Sequence, residues 1–128
     1  MTREKISTPD APQPAGNYSQ GIRLGNLVWT AGFGPQDPVT GEIPESVADQ
    51  TRQALRNVEA TLGAAGLDLG DVVKTTVHLA DLADFAEFDD AYEEFFPYPK
   101  PARTTVGSLL AGIKVEIDVV AGRLTSDD

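Results

Sequence analysis

The sequence contains no cysteine. This absence excludes disulfide bonds, thiolate nucleophiles and the zinc or iron–sulfur sites that depend on Cys ligands. A chain of 128 residues that folds without disulfides suits the cytosol, so we expect a cytoplasmic protein. No apolar run approaches the roughly 20 residues that a membrane-spanning helix needs, and the polar, proline-bearing N-terminus lacks the apolar stretch of a signal peptide.

Basic residues are scarce. Ten Lys and Arg stand against 20 Asp and Glu, which gives a formal net charge of −10. Such a surface repels phosphate backbones, so we expect neither nucleic acid nor a membrane as partner. An anionic small molecule can be held only where a local cation overrides this field. A basic residue in a pocket of this protein is therefore a stronger indication of an anion-binding site than it would be in a neutral protein.

Histidine is also nearly absent. With His78 alone and no Cys, the chain offers no plausible transition-metal site, and a half-buried strand residue is the better interpretation of His78. The acidic run from Asp81 to Glu94 lacks an EF-hand loop and follows helical spacing, which favours a solvated helix face over a cation site. The G-x-S-x-G, G-x-G-x-x-G and Walker patterns are absent, so the sequence predicts no metal and no phosphate-bearing cofactor.

The pattern of apolar residues predicts the order β-β-α-β-α-β-β, with Ser46 and Asp84 capping the two helices. Prolines and Gly16 indicate that residues 1–15 form an arm without regular elements, before one domain at residues 16–124 and a polar tail at residues 125–128. The Gly25-Asn26 pair predicts a tight hairpin. The predicted strands are residues 19–24, 27–31, 72–79, 103–106 and 115–121, and the helices end at Gly66 and before Pro97.

This order favours crossover connections, with both helices packed on one face of a single sheet. Two helices cover only one face, and strands with apolar residues on both sides need a second cover. Self-association of the bare sheet faces is the economical solution, so we expect an oligomer.

Three residues are candidates for chemistry. Arg103 has no acidic neighbour in its own stretch and offers a planar fork for a carboxylate, although an ordinary surface or interface salt bridge is the more common role of an arginine at such a position. Glu116 alternates with apolar residues in the last strand, where it either activates a water in a cleft or faces solvent. Tyr18 offers an apolar wall with a hydroxyl tip, or a structural ring. The residues alone name no reaction.

The chain from Gly16 to Gly122 resembles the RidA/YjgF/YER057c family. Many matching segments in the correct order are more specific than any single motif. The matching segments are GNYSQG at residues 16–21, LGN at 24–26, TAG at 30–32, TGEIP at 40–44, QALRNV at 53–58, AGL at 65–67, DVVKTTV at 71–77, DF at 84–85, YEEFF at 92–96, PAR at 101–103 and VEI at 115–117.

The resemblance implies an α+β, chorismate-mutase-like fold, in which a mixed sheet carries two helices on one face and assembles into a homotrimer with clefts between subunits. It implies hydrolysis of reactive 2-enamine and 2-imine acids, such as 2-aminoacrylate, to 2-oxo acids and ammonia without a cofactor. By position, Arg103 matches the arginine that binds the substrate carboxylate, Glu116 the glutamate that positions water, and Tyr18 the pocket tyrosine. The alternative is a trimer of the same fold that binds small ligands, or acts like a chaperone, without turnover.

Four positions that line the substrate pocket in the family differ from its archetype. Ala31 and Phe33 replace a Ser and a Gln, Asp89 replaces an Asn, and Thr105 replaces a Cys. Because two polar side chains are lost and Phe33 offers an apolar wall, we expect a preference for imino acids with larger or apolar side chains.

Overall fold

The computed structural model describes residues 2–124, so the predicted tail at residues 125–128 lies outside the described residues. Two short 3-10 turns, Leu69–Asp71 and Leu82–Asp84, precede the fourth strand and the second helix. The strands and helices in chain order are β1 Glu4–Ile6, β2 Gly21–Leu24, β3 Leu27–Thr30, α1 Val47–Ala64, β4 Val72–Leu79, α2 Phe85–Glu93, β5 Ala102–Gly107 and β6 Val115–Gly122.

All of the strands belong to one mixed sheet with the order β1-β2-β3-β6-β4-β5. Only β4 and β5 are parallel neighbours, and α2 connects them. Strands β3 and β4 both pair antiparallel with β6, so they run parallel to each other and α1 makes the crossover between them. The expected α+β architecture, with two crossover helices on a mixed sheet, is confirmed.

The helices bury one face of the sheet. Leu55 and Leu62 of α1 and Phe88 and Tyr92 of α2 belong to one core cluster with alternate residues of the strands. On β6 the residues that face this core are Val115, Ile117, Val119 and Ala121.

The opposite face of the sheet is open. Leu24, Leu27, Trp29 and Val106 lie on it and are exposed. An apolar face of this kind marks a surface that another molecule covers. The lack of a second covering layer, expected from the element order, is therefore confirmed, and the trimer expected to supply that layer stays a prediction.

The first helix begins as its sequence predicts, and the second does not. The Asp49 N–H donates to Ser46 Oγ at 3.0 Å, which is the expected N-cap. Asp84 makes no capping hydrogen bond. Instead Asp81 caps the preceding 3-10 turn by accepting from Ala83, and that turn runs directly into α2. Because the Phe85 N–H already donates to the Leu82 carbonyl within the turn, it needs no side-chain cap.

The N-terminal arm contains a strand that the sequence did not predict. Residues Glu4–Ile6 form β1 and pair antiparallel with β2. The buried Gln20 side chain then secures the next segment, since its Nε2 donates to the carbonyls of Thr8 and Pro12 while its Oε1 accepts from the Thr8 N–H. The prediction that no regular element precedes residue 16 is therefore wrong, because pairing with β2 stabilises a three-residue edge strand that is too short to show a pattern.

Candidate active site

Arg103 lies on the edge strand β5 and points toward the helices. It pairs with buried Thr75 of β4, and its side chain is 22% exposed. The guanidinium carbon lies 4.7 Å from the ring centroid of Tyr92 and 5.4 Å from those of Phe85 and Phe88. Such cation–π contacts contribute about 0.5–2 kcal/mol each, depending on desolvation. The aromatic residues of α2 thus hold a planar cation at the sheet edge.

Arg103 also has an acidic partner that its own stretch of sequence does not show. Its Nη1 donates to Asp89 Oδ1 at 2.6 Å, and the Asp89 side chain is 47% exposed. The ordinary ion pair considered as the alternative interpretation of Arg103 therefore exists. It does not occupy the whole guanidinium, because five N–H donors are available and this bond uses one nitrogen.

Tyr92 supports this arrangement and was not singled out from the sequence as a site residue. Its hydroxyl is 2.9 Å from Thr75 Oγ1, and burial raises the pKa of Tyr92, an effect only partly offset by the Thr75 hydrogen bond and by the charge of Arg103. The ring therefore stays neutral beside the guanidinium. The available signal was the three- and four-residue spacing of Phe85, Phe88, Tyr92 and Phe95, which puts these rings on one side of the helix.

A cavity of about 470 Å³ lies beside this cluster, which we call the arginine cavity. The Arg103–Asp89 ion pair lines it, and so do the rings of Tyr92 and Tyr98 and a second cation, Lys100. Its lining residues are Asp89, Tyr92, Glu93, Tyr98, Lys100, Pro101 and Arg103.

Glu116 lies on the other face of the sheet. It alternates with the buried Val115 and Ile117 and pairs with His78, so its partly buried side chain points to the open face. There it lies against Gly32: a Cβ added at Gly32 would come within 3.0 Å of Glu116 Cδ and 3.1 Å of Oε2. The lack of a side chain at Gly32 therefore lets the carboxylate approach the loop backbone.

Tyr18 and Ala31 lie near Glu116. The Tyr18 hydroxyl accepts from the Ala15 N–H at 3.1 Å, and the residue is 52% exposed. Tyr18, Gly32 and Glu116 line two adjoining cavities of about 520 and 560 Å³, and Ala31 lines the second. We call this region the glutamate cavity. Four of the residues expected at the site line it, namely Tyr18, Ala31, Phe33 and Glu116.

Phe33 and Thr105 occupy less accessible positions. Phe33 and Ile117 exchange backbone hydrogen bonds of 2.8 and 3.0 Å, and this pairing turns the Phe33 ring into the core. It borders the glutamate cavity, but only 4% of the residue is exposed, so most of the expected apolar wall is core instead. Thr105 is half-buried on the helix side of β5 and lines neither cavity.

The predicted site residues thus fall into two groups on opposite faces of one sheet. Arg103 pairs with Thr75, and Thr75 with Val119, in a row that faces the helices. Glu116 faces away from them. Because alternate strand residues point to opposite faces, Arg103 and Glu116 of the same chain do not meet. Each chain therefore carries two separate groups of candidate site residues, which we call half-sites.

Neither half-site includes a metal-binding cluster. Among residues 2–124 no three His, Asp or Glu side chains converge as metal ligands, and no helix has the length and apolarity to cross a membrane. His78 is half-buried, as expected, with its Nδ1 2.7 Å from Ser108 Oγ.

The sequence matches a known protein family over most of its length. A family model described as Endoribonuclease L-PSP matches residues 8–122. The 2-iminobutanoate/2-iminopropanoate deaminase of Escherichia coli K12 is 46% identical over 123 residues, which cover 92% of this chain and 96% of the relative. A RutC family protein of Pyrococcus horikoshii is 47% identical over 122 residues, covering 93% and 97% of the two chains.

Solved structures match over the same extent. The crystal structure of the YjgF gene product from E. coli superposes with a TM-score of 0.89 at 44% identity and covers 94% of this chain and 99% of its own. A crystal structure of E. coli TdcF with bound serine gives a TM-score of 0.89 at 41% identity, with the same coverage.

Proposed function

Since this chain belongs to the Endoribonuclease L-PSP family, the RidA/YjgF family that its sequence resembles, we propose that it is a deaminase of reactive 2-imino acids. The substrate would be a small imine or enamine of the 2-aminoacrylate type, held by its anionic carboxylate group, and the products a 2-oxo acid and ammonia. No cofactor is required, because an imine carbon is already electrophilic. We expect the enzyme to act in the cytoplasm.

The observation that carries this proposal is the setting of Arg103. Its guanidinium lies against three aromatic rings of α2 and on the wall of the arginine cavity, in a chain whose net charge is −10. A planar fork held in this way can grip a carboxylate through two hydrogen bonds. We assign it the role of holding the substrate carboxylate.

Glu116 and Tyr18 supply the other half of the chemistry. Glu116 is partly buried in a cavity that it shares with Tyr18, where its carboxylate can orient a water for attack on the imine carbon. Tyr18 forms a wall whose hydroxyl can donate to the substrate. The protein mainly holds the carboxylate, places the water and stabilises charge near nitrogen.

We place the complete site between two copies of the chain. Arg103 and Glu116 point to opposite faces of the sheet, so one copy must bring its arginine cavity to the glutamate cavity of another. The open apolar face around Leu27 and Trp29 supplies the surface on which copies would associate. A cyclic trimer, which closes without free interfaces, fits both features.

Ribonuclease activity, which the family description names, is disfavoured here. A net charge of −10 opposes approach to a phosphate backbone. The arginine cavity also carries as many carboxylates as cations. An RNA substrate therefore lacks the basic surface that it would need.

A coupled assay tests the deaminase proposal. A serine or threonine dehydratase releases the unstable enamine, which decays slowly to the 2-oxo acid in water. Adding the wild-type chain should accelerate release of the 2-oxo acid in proportion to its concentration. A protein that binds the intermediate without turnover would slow release or leave it unchanged, and that result would support the non-catalytic alternative.

The side chain of the preferred substrate is a separate prediction. Because Ala31 lines an adjoining cavity with Ile22 and Trp29, we expect faster hydrolysis of imines with larger apolar side chains. Imines generated by an amino-acid oxidase from alanine, leucine and phenylalanine provide the comparison. Ala31→Ser should shift the preference back toward alanine. Strongest acceleration with the alanine imine in the wild type would contradict the prediction.

A further inference from the structure

The carboxylate anchor is not a free cation, because Asp89 occupies part of it. The 2.6 Å bond joins Arg103 Nη1 to a single oxygen of Asp89, and the side chains are 22% and 47% exposed. A ligand carboxylate that binds the remaining N–H donors would therefore lie beside a second, fixed carboxylate. Asn, the residue of the family archetype at this position, would keep the acceptor oxygen and remove that charge.

The second cation of the arginine cavity does not give it an excess of positive charge. Its lining carries two carboxylates, on Asp89 and Glu93, and two cations, on Lys100 and Arg103. Lys100 is engaged elsewhere: its Nζ donates to the Phe96 carbonyl at 2.6 Å and lies 4.9 Å above the Tyr98 ring. The charges that line the cavity therefore sum to zero, and a ligand at Arg103 meets no excess of positive charge.

The proposed reaction changes the charge of the bound molecule. The protonated imino acid carries a carboxylate and an iminium and has no net charge. Water adds to the C=N carbon, the C–N bond breaks, and the nitrogen leaves as ammonium: R–C(=NH2⁺)–COO⁻ + H2O gives R–CO–COO⁻ + NH4⁺. Once ammonium departs, the ligand left on Arg103 is a plain anion.

We propose that Asp89 is a charge-selecting residue that favours the neutral imino acid over the anionic 2-oxo acid at Arg103. The inference rests on the deaminase function proposed above. The Asp89 carboxylate attracts the iminium group of the substrate, and this attraction offsets its repulsion of the substrate carboxylate. It repels a ligand that carries only a carboxylate, because nothing offsets the repulsion there. Asp89 thereby promotes product release, at the cost of weaker binding of simple carboxylates.

Two stable ligands with the same carbon skeleton test this selection. L-2-Aminobutanoate is a zwitterion, and 2-oxobutanoate is the corresponding anion. Titration calorimetry on the full chain should show that Asp89→Asn tightens 2-oxobutanoate about three- to tenfold and changes L-2-aminobutanoate less than about twofold, as expected for one half-exposed charge at close range. The gain should shrink as salt is added.

Control measurements distinguish charge selection by Asp89 from a general effect of the net charge and from a role of Asp89 in positioning Arg103. Asp90→Asn removes the same charge from the next, exposed position of α2 and should leave both affinities unchanged. In kinetics, Asp89→Asn should lower the inhibition constant of 2-oxobutanoate more than it lowers KM for the imine. Circular dichroism confirms that the isosteric variant is folded.

Other results would overturn the inference. Equal weakening of both ligands in Asp89→Asn would show that Asp89 only positions Arg103, and equal tightening would show that it opposes all ligands alike. If Asp89→Asn changes both ligands equally in either direction while the wild type deaminates the imino acid, the deaminase proposal is kept and the charge-selecting role of Asp89 is rejected. If neither ligand binds in an Arg103-dependent manner, the role of Asp89 at Arg103 is rejected, and the coupled assay alone decides the deaminase proposal.

Discussion

Replacing Arg103 by alanine should lower kcat/KM for the imino acid by about 30-fold to 3,000-fold, the range that loss of one partner from a buried, hydrogen-bonded charge pair produces. The change removes the fork that holds the substrate carboxylate. It also leaves Asp89 at the anchor without its cation, so an anionic ligand meets a bare negative charge there. We expect the loss in both kcat and KM, since a substrate that is not held by its carboxylate is also misplaced for water.

Arg103→Lys provides the matched control for charge. Lysine restores a cation but not the planar fork that can bind both carboxylate oxygens, so its activity should fall between that of wild type and that of Arg103→Ala. Both variants lose guanidinium contacts with Tyr92 and Phe88, and thermal melts must confirm that they are folded at the assay temperature. Equal rates of 2-oxo acid release by wild type and Arg103→Ala would show that Arg103 takes no part in the reaction. That result would favour the alternative of a trimer that binds small ligands without turnover.

Much of the fold follows from local patterns. Alternation of apolar and charged residues identified β6, the Ser46 cap located the start of α1, and the Gly25-Asn26 pair marked the β2–β3 hairpin, where Gly25 has φ of 62°. Strand β1 could not be predicted in the same way. Its three residues carry no pattern and become a strand only through pairing with β2.

The geometry of the site depends on contacts that are distant in sequence. Arg103 and Asp89 are separated by the end of α2 and a proline-bearing connection, so their ion pair is visible only once β5 lies beneath α2. Phe33 borders the glutamate cavity, but backbone pairing with Ile117 directs most of its ring into the core. The sequence also does not show that Arg103 and Glu116 lie on opposite faces of the sheet, because that depends on the register of β5 and β6 against β4.

Mixing two inactive variants should restore activity if the site lies between chains. Arg103→Ala lacks one half-site and Glu116→Ala the other, and each alone should be nearly inactive. In a trimer reassembled from equal amounts, a cleft is complete when its arginine comes from the Glu116 variant and its glutamate from the Arg103 variant. Each condition holds half the time, so about a quarter of wild-type activity should return.

The matched control mixes wild type with a chain that carries both substitutions. If each cleft is shared, it is complete only when both contributing chains are wild type, so again about a quarter of the activity should remain. If one chain held the whole site, this mixture would retain about half, and the two single variants would restore nothing. The pair of measurements therefore distinguishes a shared cleft from a self-contained one. Sedimentation velocity on each mixture establishes that reassembly occurred. Activity of one half for the control with none for the single variants would contradict the division of Arg103 and Glu116 between neighbouring chains that their opposite orientations on one sheet require.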